Sequence, residues 1–138
     1  MQQNQTIRPK ILVVEDDLTS QELFKLLFGK NYDVSVCDEE NAFVAILERT
    51  KIDLVLMDIS LHGNKSGIDL IRYLRENNLQ HKHTPVICYS AHVFSQDKIN
   101  ALTAGANIFL PKPVSNEVLV ETIESALHGA AKTEQQNY

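Results

Sequence analysis

Five short apolar runs, each followed by a stretch with helical spacing, constrain this chain more than any other feature. The runs are Ile11–Val14, Val34–Cys37, Ile52–Met57, Val86–Tyr89 and Ile108–Leu110. They are continuous rather than alternating, as strands buried on both faces are. Between them, Leu23, Phe24, Leu27 and Phe28 recur at helical spacing and are closed by Gly29. Ala42, Ile46 and Arg49 follow a cap-like Asp38, and Ile68, Ile71 and Leu74 follow Gly67. Ile99 and Leu102 precede Gly105, which can end a helix in the left-handed conformation. Leu119, Ile123 and Leu127 form the last helical face, with Ser115 as its cap. A βα unit repeated five times predicts an α/β fold: a doubly wound, five-stranded parallel sheet with helices on both faces. Periodicity leaves the strand order open.

The chain has 138 residues, the size of one domain, and 43% of them are apolar, enough for one core. One domain of the five units is expected over 9–128, with polar, flexible tails at 1–8 and 129–138. The formal charge of −5 argues against direct nucleic-acid binding, which calls for a basic face. No apolar run is long enough for a membrane span and the first ten residues lack the apolar core of a secretory signal, so a cytoplasmic location is expected. Cys37 and Cys88 lie far apart among strand-like residues and read as small buried apolar groups rather than a disulfide or metal pair.

In open parallel sheets, sites form beyond the carboxyl ends of the strands. That rim carries Glu15, Asp16 and Asp17 after the first strand and Asp58 after the third. Ser90 follows the fourth strand and Lys112 the fifth. Carboxylates crowded together do not all stay ionised cheaply without a cation. Hard oxygen ligands of this kind suit Mg²⁺, which Mn²⁺ can replace. A cation, a lysine and a serine hydroxyl can together hold a phosphoryl group, and a carboxylate can accept one as an acyl phosphate. Asp58, a lone acid closing a long apolar run, is the best candidate acceptor. Asp17 reads instead as an acid at a helix N-terminus.

The residues Val-Val-Glu-Asp-Asp at 13–17, Leu-Met-Asp-Ile at 56–59, Ser-Ala at 90–91, Ala-Gly-Ala at 104–106 and Leu-Pro-Lys-Pro at 110–113 resemble the receiver domain of two-component response regulators. The likeness runs from about Lys10 to Leu127. It implies a flavodoxin-like strand order of 2-1-3-4-5 and a cis bond between Lys112 and Pro113. It implies that Asp58 accepts a phosphoryl group from a histidine kinase or a histidine phosphotransfer protein. Asp16, Asp58 and the backbone carbonyl of Ser60 would ligate Mg²⁺, with Glu15 acting mainly through water. Ser90 and Lys112 would contact the phosphoryl oxygens, and Phe109 would turn inward as Ser90 moves. The face formed by the fourth helix, fifth strand and fifth helix, roughly Ser95 to Leu127, would then control an output partner. On this reading the chain is a signalling module, not an enzyme on an external substrate, and either docks to a partner or is cut from a larger regulator or hybrid kinase.

Three departures from the commonest pattern stand out. The loop from Ile59 to Gly67 is one residue longer and carries His62 where proline is usual. Ser60 and His92 occupy the two positions that flank the phosphoryl group and tune its hydrolysis. Phe109 lacks the hydroxyl of the commoner tyrosine. The alternative is a Mg²⁺-dependent aspartyl-phosphate phosphatase or phosphotransferase, but haloacid-dehalogenase-type enzymes need a second acid where Ser60 stands. A flavin protein is disfavoured because acids after the first strand would repel the flavin phosphate. Asp53 is expected in a solvent-facing turn, His81 and His83 in a solvated loop. Gly63 to Gly67 lacks the spacing of a phosphate-binding loop.

Overall fold

A computed structural model describes residues 7–61, 66–91 and 95–132. The strands are β1 (Lys10–Val14), β2 (Asp33–Cys37), β3 (Leu54–Asp58), β4 (Val86–Ser90) and β5 (Ile108–Pro111). The helices are α1 (Leu18–Phe28), α2 (Glu40–Arg49), α3 (Gly67–Asn77), α4 (Ser95–Ala104) and α5 (Asn116–Lys132). Every strand pairs in parallel, in the order β2-β1-β3-β4-β5. The expected fold and strand order are both present. No helix among the described residues is long and apolar enough to cross a membrane.

Successive strand residues point to opposite faces, so each apolar run feeds two cores. Leu12, Val14, Val55, Met57, Val86 and Cys88 pack under α2, α3 and α4, against Phe43, Leu47, Leu70, Leu74 and Ala101. Ile11, Val13, Leu54, Leu56, Ile87 and Tyr89 pack under α1 and α5, against Phe24, Phe28, Leu119 and Ile123. Burying one such aliphatic or aromatic side chain stabilises the fold by about 1.5–3 kcal/mol. The two-sided core explains why the runs do not alternate. Cys37 and Cys88 are buried free thiols, and burial pushes each up to about 12.

Several local expectations are corrected. The cap of α2 is Glu39, not Asp38: its carboxylate accepts the amides of Asn41 at 2.8 Å and Ala42 at 3.1 Å. The core face of α2 is Phe43 and Leu47, while Ala42 and Ile46 lie at its margin and Arg49 is exposed. On α4 the buried residues are Ala101 and Ala104, whereas Ile99 and Leu102 are 52% and 39% exposed. Asp53 is no mere turn residue, since its carboxylate accepts the Lys10 amide at 2.7 Å and its own amide donates to the Lys10 carbonyl. His81 is fully buried: Nε2 accepts the Ile52 amide at 2.9 Å, and Nδ1 faces Asn78 Oδ1 at 3.0 Å. Only His83 of that pair is exposed. Helix α5 continues to Lys132, past the boundary expected at residue 128. Arg8, placed in the tail from sequence, donates to the Gly29 carbonyl.

Two glycines are required by geometry. Gly105 ends α4 with φ of 125°, a conformation open to glycine, and Arg75 packs against it. Gly67 starts α3 so close to β3 that a Cβ would meet the Asp58 carbonyl oxygen at 2.5 Å. Ser66 caps that helix reciprocally with Asp69, which sets the return of the chain from the rim.

Candidate phosphoryl-acceptor site

Four strand ends converge on the carboxyl rim of the sheet. The registers Val14↔Met57, Asp58↔Tyr89 and Ser90↔Pro111 bring residues remote in sequence to one level. Glu15, Asp16 and Asp58 each offer a carboxylate oxygen within 4.8 Å of the others. Glu15 is 1% exposed and Asp58 3%, while Asp16 is half-buried. Asp17 is separate from them. It caps α1, accepting the Ser20 amide at 2.9 Å and its hydroxyl at 2.7 Å, and these bonds hold its carboxyl below the usual range.

Both Asp58 oxygens are engaged. Oδ1 accepts the Ser60 amide at 2.9 Å, and Oδ2 faces Lys112 Nζ at 3.4 Å. Lys112 Nζ also lies 3.9 Å from Glu15 Oε1. Its backbone is placed by donation to the Ser90 carbonyl at 2.8 Å, and the Lys112–Pro113 bond is cis, as the resemblance implies. The Ser90 and Ser60 hydroxyl oxygens are 3.3 Å apart, and Ser90 is fully buried. Phe109 is half-buried against the α2–α3–α4 core. His92 and residues 62–65 lie outside the described residues.

Tyr89 is a contributor that the sequence reading missed. Its hydroxyl donates to Glu15 Oε1, and its ring lies under Lys112 Nζ at 4.6 Å from the centroid. Burial and the neighbouring Glu15 push its phenol well above the ordinary range. Glu15 is itself raised, first by burial and further by Asp58, against the lowering bonds from Tyr89 and Asp17. In the sequence it stands as the last residue of an apolar run, directly before Ser90, where it reads as core.

Among the described residues, three carboxylates gather at this rim, and the Lys112 ammonium lies within 4 Å of two of them. The donor set is all hard oxygen and anionic in excess, which fits a small divalent cation of the Mg²⁺ type. The chain matches the profile of the response regulator receiver domain over residues 11–124. It is 34% identical over 128 residues to the transcriptional regulatory protein CpxR of Klebsiella pneumoniae, covering 92% of this chain and 53% of that protein. The chain thus spans about half the length of the curated relatives it matches. Among solved structures, the signal receiver domain of a Luxo repressor protein from Vibrio parahaemolyticus superposes with a TM-score of 0.82 at 26% identity, covering 96% of this chain and 99% of that one. The receiver domain of the sensor histidine kinase PA1611 from Pseudomonas aeruginosa, with a magnesium ion coordinated in its active-site cleft, gives 0.77 at 27% identity, covering 88% and 99%. This chain belongs to the response regulator receiver domain family of two-component systems.

Proposed function

We propose that Asp58 is the phosphoryl acceptor of a two-component phosphorelay. The observation that carries this reading is the pairing of a buried Asp58 with Lys112 at 3.4 Å, beside two further acids. A carboxylate oxygen of Asp58 attacks phosphorus on a phosphohistidine of a histidine kinase or histidine phosphotransfer protein. An O–P bond forms, the N–P bond breaks, and the departing imidazole takes a proton from solvent. Asp16, Asp58 and the Ser60 carbonyl would hold Mg²⁺ or Mn²⁺, with Glu15 acting mainly through water. When bound, the cation neutralises charge on the phosphoryl oxygens. Lys112 places its ammonium at the same oxygens, and the Ser90 hydroxyl donates to one of them. Ser60, two residues after the acceptor, and His92, two after Ser90, occupy the sequence positions that would set how long the group survives.

The acyl phosphate replaces a carboxylate by a group of higher charge with three acceptor oxygens. It draws Ser90 and Lys112 toward it and biases a two-state equilibrium, in which Phe109 turns inward. The output face is α4–β5–α5, where Ile99, Leu102 and Val118 are left exposed. Its partner is another protein or domain rather than nucleic acid or membrane, and the setting is the cytoplasm. The module catalyses only its own phosphorylation and dephosphorylation. Ser60 stands where an external phosphatase would need its second acid.

With Mg²⁺ and a small phosphodonor, intact-mass measurement is expected to show one phosphoryl increment, absent in Asp58→Asn. Equal labelling of wild type and variant would sink the proposal.

A further inference from the structure

Tyr89 touches both halves of the site. Glu15 has each oxygen committed: Oε1 accepts the Tyr89 hydroxyl and Oε2 accepts the Asp17 amide at 2.9 Å. The face of the same ring lies 4.6 Å from Lys112 Nζ, which is 3.4 Å from Asp58 Oδ2. The ring is itself fixed, meeting Phe24 edge-on at 5.6 Å within a strand buried from end to end. An aliphatic residue would fill that core position but supply neither a hydroxyl nor a ring face.

We propose that Tyr89 is a positioning residue for phosphoryl acceptance, its hydroxyl fixing Glu15 on the cation side and its ring seating Lys112 on the phosphoryl side. This rests on the reading of Asp58 as acceptor. The two contacts are chemically separable. Without the hydroxyl, Glu15 Oε1 still has Lys112 Nζ at 3.9 Å. It then has that ammonium as its partner in place of the hydroxyl, and the carboxylate is no longer held in one orientation for the cation. Without the ring, Lys112, whose side chain is 33% exposed, loses the surface that holds it over the site.

The test uses the whole chain with Tyr89→Phe, which removes only the hydroxyl, and Tyr89→Met, which fills the core without a ring. There are four tyrosines and no tryptophan, so tyrosine difference absorbance reads the site directly. Mg²⁺ alone is expected to perturb that signal in the wild type and not in Tyr89→Phe. Calorimetric Mg²⁺ affinity should fall about tenfold in Tyr89→Phe, the low end for loss of a partner that orients a ligand. Its labelling at saturating Mg²⁺ should be faster than that of Tyr89→Met, because its ring still seats Lys112. Tyr89→Met should match that affinity loss and also label about tenfold more slowly at saturating Mg²⁺, as loss of a partly desolvated cation–π contact implies. A thermal midpoint near wild type for Tyr89→Phe separates positioning from folding. Wild-type Mg²⁺ affinity and an unchanged tyrosine signal in Tyr89→Phe would overturn the hydroxyl role. Equal saturated rates in the two variants would overturn the ring role. If the wild type binds Mg²⁺ with the tyrosine signal but Asp58 takes no phosphoryl group, the acceptor reading fails and the hydroxyl role stands. If Asp58 is labelled and both variants behave as wild type, the Tyr89 assignment alone fails.

Discussion

Asp16 and Asp17 are adjacent and chemically identical, yet the fold gives them different work. Asp16 stays with Glu15 and Asp58, while Asp17 turns away to cap α1 through Ser20. Asp16→Asn is therefore expected to weaken Mg²⁺ binding by more than about tenfold, beyond the loss of a mere outer partner. Asp17→Ala should lower the urea midpoint through loss of the cap while leaving Mg²⁺ affinity unchanged. Titration calorimetry and urea melts of the two variants check the ranking. The distinction was legible in the sequence because a helix start wants an acid whereas a strand end does not. Tyr89 was not legible, because as the last residue of an apolar run it looked like core, and half of it is core. Its hydroxyl acquires meaning only once the register sets β4 beside β3 and the rim brings Glu15 within reach. His81 was hidden for the same reason, its partner being the Ile52 amide across a loop.

The five helices lie where the apolar spacing put them, but the residues on their core faces were read less well. In α2 and α4 the large aliphatics Ile46, Ile99 and Leu102 drew attention from smaller or neighbouring residues that face the sheet. Helix α4 packs through Ala101 and Ala104, and alanines carry little hydrophobic signal. The C-terminal end of α3 is held by Arg75, a device invisible to periodicity. Its guanidinium donates to the carbonyls of Gly105 at 2.8 Å, Thr84 at 2.7 Å and Lys82 at 3.0 Å, and to Asn107 Oδ1 at 3.0 Å. Asn107 Oδ1 in turn accepts the Val86 amide. One side chain thus ties α3 to the starts of β4 and β5, the strands that deliver Ser90 and Lys112. Arg75→Met keeps the stem and removes the donors. It is expected to cost roughly 2–3 kcal/mol, given the worth of charged hydrogen bonds. A lower urea midpoint with an unchanged m-value would show it, and wild-type stability would refute it.

At the scale of the molecule, the sheet separates a chemical end from an anchoring end. The acids and Lys112 lie beyond the carboxyl ends of the strands, while His81, Asp53 and Arg75 brace the amino ends. Burial, and then the charge of Lys51, depress the pKa of His81 below its ordinary value. Its Nε2 must stay unprotonated to accept the Ile52 amide. Above the ordinary histidine pKa neither folded nor unfolded chain carries this proton, so stability is full. As pH falls through that value the unfolded chain binds the proton and the folded chain does not, so stability is lost. Urea melts between about pH 7 and 5 should show this decline, and His81→Gln should be less stable at neutral pH but decline less steeply.

Strand β1 lies between β2 and β3, and the sheet then grows outward to β5 at the edge. A ribosome delivers Glu15, Asp16 and Asp58 well before Lys112, which arrives with the last strand. Strand β5 pairs with β4 alone, so the ammonium that faces Asp58 and Glu15 hangs from a single strand pairing and one bond to the Ser90 carbonyl. Cutting the chain before residue 108 would leave all three acids in place and remove their counter-charge.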